Sequence, residues 1–163
     1  MSIAQHIKTS METPTMVVNG YLADLSDADL LRRPTKGANH IAWQLGHLIV
    51  SEHNLIEMVC PGTMPKLPDS FAEKYTNDTA PVDDPAAFHK KDEYLRLMNE
   101  QRAGTLAALE KLSDDDLEKP APEKIQQFGA TVGTVFAGQN MHWVMHAGQW
   151  VIVRRQLGRK PLF

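Results

Sequence analysis

Two histidines four residues apart, His142 and His146, are the side chains in this sequence best placed to do chemistry. On an α-helix, residues four apart are neighbours on one face, so both rings can aim a nitrogen at a single point beside the helix. A divalent cation can occupy such a point. On a helical wheel the pair shares a stripe with Val135, Gln139, Trp150 and Val153, the face expected to meet other helices. Buried imidazoles need partners, and a metal ion is one of them. The chain contains seven histidines, a number that yields some four-residue pair by chance in roughly one chain of four. Two core-edge rings satisfied by hydrogen bonds are therefore the alternative reading. The intervening Trp143-Val144-Met145 lacks a glutamate, which excludes the His-Glu-x-x-His zinc-protease motif and its built-in general base.

The elements that must position these rings are helices. Near the start, Ile3, Ile7 and Met11, then Val17, Val18, Tyr21, Leu22 and Leu25, recur at helical spacing, with Ser2 available as a cap and Pro14 predicting a bend. A second helix is predicted from about residue 39 to 59, capped by Asn39, with Ile41, Leu45, Leu48, Leu55, Ile56 and Val59 as its apolar stripe. His40, His47 and His53 lie on it; His47 falls to one side of the stripe and Glu52 nearer its centre. Five prolines and Gly62 interrupt residues 60–85, predicting a long connection of the kind that serves as a lid or crossover. A third helix is expected from Pro85 to about residue 112, with Pro85 in its first turn. A fourth runs from about 132 to 157 and ends at Gly158. No strand pattern appears. The segments Leu25-Ser26-Asp27-Ala28-Asp29-Leu30 and Leu112-Ser113-Asp114-Asp115-Asp116-Leu117 resemble each other. Each reads as a serine-capped acidic turn after a helix, and together they suggest two related halves.

Composition bounds the rest. A chain of 163 residues, 42% hydrophobic and 23% charged, has the size and make-up of one globular domain spanning 1–163. Its net charge of -3 gives no footprint for nucleic acid. No stretch approaches the ~20 apolar residues of a membrane span. The lone Cys60 and an N-terminus without signal-peptide features make the cytoplasm the expected location.

The residues His142-x-x-x-His146-Ala147-Gly148-Gln149, followed by Arg154-Arg155-Gln156-Leu157-Gly158, resemble the closing helix of the DinB-like proteins, the DinB/YfiT superfamily. Ile41-Ala42-Trp43-Gln44-Leu45-Gly46-His47-Leu48, with Glu52 shortly after, resembles that family's second helix. The resemblance implies an all-α, four-helix bundle of up-down-down-up order with a long connection between helices two and three. It also implies a metal site between helices two and four, which selects His47 as the third ligand beside His142 and His146. His6, His40, His53 and His89 are then solvated or cap-region side chains. Glu52 is either a partner that orients a ligating ring, a role open to Gln149 as well, or a paired carboxylate within the bundle.

Three imidazoles leave a coordination position open, as catalytic sites do. The resemblance implies a divalent ion (zinc, nickel, iron or manganese) and, in some relatives, a low-molecular-weight thiol such as bacillithiol or mycothiol. The expected function is a metal-dependent transferase activating a small thiol. A metal-dependent hydrolase and a non-catalytic metal or small-ligand binding protein are the alternatives. Trp43, Trp150 and residues 60–85 are candidate pocket walls, or else ordinary packing. Arg154 and Arg155 either attract an anion or complement a helix C-terminus. Cys60 is expected to be neither nucleophile nor ligand. The expected partners are a small-molecule substrate and a second copy of the chain.

Overall fold

The computed structural model describes residues 1–162. It is all-helical, and among the described residues the only extended pairing is an isolated bridge between Pro120 and Thr131. The helices are α1 (Ile3–Ser10), α2 (Glu12–Ala23), α3 (Asp27–Leu30), α4 (Ile41–Val59), α5 (Lys91–Leu109), α6 (Asp114–Glu118) and α7 (Val132–Gln156). Helix α7 packs on α2 and on α4, α4 packs on α5, and α1 meets both α5 and α7. The core between them gathers Trp43, Leu48, Tyr94, Trp143 and Trp150, with a second cluster around Met11, Ile56, Leu109 and Phe136.

Ser2 caps α1 by accepting from the Gln5 amide, as its sequence position predicts. The expected bend at Pro14 is instead an interruption at Met11, which ends α1 and precedes α2. Pro14 thereby falls in the first turn of α2, where a missing N–H costs nothing because that amide has no helical acceptor. The second helix also starts later than predicted. His40 rather than Asn39 is its cap, with Nδ1 accepting from the Trp43 amide at 3.0 Å. That bond leaves His40 Nε2 as the protonated nitrogen, which donates to the Val82 carbonyl at 3.0 Å.

The third helix is shorter than expected at both ends. Pro85 does open a helical turn, but Pro85–Ala87 is a separate 3-10 turn capped by Asp84. The chain then runs extended through Phe88, whose ring is buried edge-on against His40 at 4.5 Å. Burying that ring requires leaving the helix, so α5 begins at Lys91. The connection over residues 60–85 is ordered against α4. Trp43 Nε1 donates to the Thr76 carbonyl and to Thr79 Oγ1, both at 3.1 Å. The Tyr75 ring lies so close to Gly46 that a Cβ there would sit 2.1 Å from Tyr75 Cε1.

The two acidic turns form matching structures. Ser26 and Asp29 make a capping box on α3, and Ser113 and Asp116 make one on α6. Each turn also caps a helix of the other half: Asp27 Oδ1 accepts from the Lys91 amide of α5 at 2.7 Å, and Asp114 Oδ1 accepts from the Ile3 amide of α1 at 2.9 Å. Helix α7 starts from a capping box of Thr131 and Thr134 and ends at Gly158, whose φ of 70° suits glycine.

Candidate metal centre

The central position of α4 explains how His47 reaches the site. Its first two turns are buried nearly all round, because α7, α5 and the 60–85 connection cover different sides. A residue lying off the main apolar stripe can therefore still face a neighbouring helix. His47 faces α7, where His142 and His146 project from the stripe that also buries Val135, Gln139, Trp150 and Val153. The ring centroids are 5.1 Å apart for His47 and His142, 5.6 Å for His47 and His146, and 5.0 Å for His142 and His146. One nitrogen from each ring lies within 4.8 Å of the other two. In a tetrahedral site with ~2.0–2.1 Å bonds two ligand nitrogens stand about 3.4 Å apart, so the rings need to close by about 1.4 Å at most to seat a cation. The donor set fits one borderline-soft divalent ion with a position left open.

All three rings are half-buried. Burial first, and then the neighbouring rings, pushes His142 and His146 down to about 4; burial lowers His47 as well. At neutral pH the imidazoles are uncharged, the form that offers a lone pair.

Gln44, which the sequence reading did not single out, orients one of them. Its Oε1 accepts from Trp150 Nε1 at 2.9 Å, and its Nε2 donates to the Asn39 carbonyl at 2.6 Å and to Gln149 Oε1 at 3.0 Å. An indole can only donate and a carbonyl can only accept, so the amide has one orientation. His146 Nδ1, 3.1 Å from the same Oε1, must then donate, which leaves Nε2 as the lone-pair nitrogen. Gln149 stands one step behind, steadying Gln44 rather than touching a ring. His47 is fixed differently, by stacking on Trp43 with centroids 5.0 Å apart and planes 9° off parallel.

Glu52 is the paired carboxylate of the two roles considered for it. It is 1% exposed and accepts from Trp143 Nε1 and Thr105 Oγ1, each at 2.7 Å, with Arg102 at 3.2 Å. Among the described residues no carboxylate or thiol joins the three rings. Arg154 does not serve an anion either: it is buried, with its guanidinium on Asp24, the Tyr21 carbonyl and the Lys160 carbonyl. Arg155 is exposed in the last turn of α7, as its helix-end reading expects. Cys60 is buried in the Met11–Ile56 cluster, and burial raises its thiol pKa. His6 is exposed, His53 pairs with Gln101 Oε1, and His89 pairs with the Tyr75 hydroxyl.

Residues 11–150 match the DinB superfamily, and the chain belongs to it. A crystal structure of a conserved protein from Enterococcus faecalis is similar over 98% of this chain and 99% of that one, with a TM-score of 0.69 and 18% identity. At that identity the likeness establishes the fold alone. No curated protein matches the chain.

Proposed function

We propose that His47, His142 and His146 bind one divalent metal ion, and that the protein is a metal-dependent transferase acting through a small thiol. The convergence of three neutral ring nitrogens from two helices carries this reading. A cation there would lower the pKa of a thiol or water and polarise an electrophile. The protein's own part is to keep the imidazoles uncharged by burial, to fix the His146 tautomer through Gln44, and to hold the His47 ring against Trp43.

A metal-bound water would equally give a hydroxide nucleophile at neutral pH, so hydrolysis is the second reading; Glu52, held by Trp143, Thr105 and Arg102, is not free to assist either reaction as a general base. Pairing of two copies and a cytoplasmic location belong to the same proposal; no helix is long and apolar enough to cross a membrane.

The test loads metal-free protein with zinc, nickel, manganese or iron in turn and follows thiol consumption against a general electrophile, then cleavage of ester and amide panels. Thiol loss that requires all three histidines supports the transferase. Cleavage without thiol replaces it with the hydrolase, and metal binding with neither activity leaves a binding protein.

A further inference from the structure

His142 has a second neighbourhood. Beside the three-ring cluster it lines a groove of about 260 Å³ walled by Ser51 and Leu55 of α4, Gln127 and Phe128 of the turn preceding α7, and Met141 and Met145 of α7. Phe128 is 54% exposed, Met141 73% and Met145 58%. One exposed apolar side chain means little, but three around a single concavity mark a binding surface. The groove is built rather than incidental: a Cβ on Gly138, which also lines it, would come 3.2 Å from the Phe128 carbonyl, so glycine there lets the Phe128 turn run close along α7. None of the lining residues is an acid, lysine or arginine. Methionine walls adapt to tails of different shape.

We infer that this groove takes the uncharged alkyl or aryl portion of the substrate whose donor atom reaches the ion at His47, His142 and His146. The inference rests on the metal-centre reading and narrows it: the substrate is amphipathic, with a metal-binding head and a neutral hydrophobic tail. At ~30 Å³ per water-sized group, the groove admits a tail of roughly eight heavy atoms. A charged tail finds no counter-ion among the walls.

Two arms separate the groove from the ion. In metal-free protein carrying 13C-labelled methionine methyls, hexan-1-ol shifts the Met141 and Met145 resonances saturably and leaves buried Met11 and Met98 unmoved; Met141→Leu and Met145→Leu variants assign the signals. In zinc-loaded protein, straight-chain hydroxamates gain roughly fourfold in affinity per added methylene until the groove is full. Phe128→Ser combined with Met141→Ser flattens that slope and leaves zinc affinity unchanged. Unmoved methyl signals, or affinity independent of chain length, overturn the inference. So do methyl shifts that follow protein concentration without the alcohol, which would give the groove to a second copy. Failure of zinc to bind removes the metal-centre reading alone, since the first arm reads the groove without an ion.

Discussion

Because the Trp150 indole can only donate and the Asn39 carbonyl can only accept, the Gln44 amide between them has one orientation, and the proton on His146 follows from it. Replacing Gln44 with leucine removes that acceptor. Outer partners of ligating imidazoles are worth about 10–100-fold in metal affinity, and we expect a loss in that range for Gln44→Leu by calorimetric zinc titration. Gln44→Glu keeps an acceptor for His146 and should retain more affinity. The His142–His146 pair is legible in the sequence because both rings sit on one helix face. Gln44 is not, because its role depends on α4 and α7 meeting at one level, which helical periodicity does not specify. His47 was reached only through the family resemblance; its wheel position pointed away until α4 proved to be covered on several sides.

The relative setting of α4, α5 and α7 is fixed by a buried polar knot. Glu52 of α4 joins Thr105 and Arg102 of α5 to Trp143 of α7, which lies between His142 and His146 in sequence. Glu52→Ala strands the Arg102 cation and the indole N–H, a change that costs about 3–5 kcal/mol when a buried pair loses one partner. Urea unfolding should register the loss, and zinc affinity should fall with it as the α4–α7 register loosens. A second element-level contact is the seat of Tyr75 on Gly46. Gly46→Ala would put a methyl into that ring and should destabilise by about 1–3 kcal/mol, the usual cost of overpacking; the midpoint of urea unfolding checks it. The long helices α4, α5 and α7 were readable from periodicity, while the division of the first helix at Met11 and the 3-10 helices Ala72–Tyr75 and Glu123–Phe128 were not. The boundaries at His40 and Lys91 were not, since both are set by residues 71–88 folding back on α4, a tertiary effect with no local signal.

Across the whole molecule, the repeated Leu-Ser-Asp turns each cap a helix in the opposite half, Asp27 on α5 and Asp114 on α1. The likeness of the two segments was visible in the sequence; that each grips the other half was not. Stability should also carry the signature of the buried rings. Burial, and then the neighbouring rings, depresses His142 and His146 to about 4 in the folded chain from the ordinary imidazole value of 6.5. Between those limits the unfolded chain binds more protons, so stability rises with pH there. The metal-free protein should therefore lose stability as pH falls from about 6.5 towards 4, with no contribution from these rings above that window. Thermal melting from pH 7 to 4 tests this, and a His142→Ala/His146→Ala double variant should show a flatter acid limb.

The most direct test is zinc titration of metal-free protein followed by X-ray absorption at the zinc edge, on the wild type and on His47→Ala, His142→Ala and His146→Ala. One ion per chain is expected, with three imidazole nitrogens at ~2.0–2.1 Å and a sharp loss of affinity in each variant. Absence of saturable binding, or a zinc environment unchanged by all three substitutions, would contradict a metal centre built from these rings.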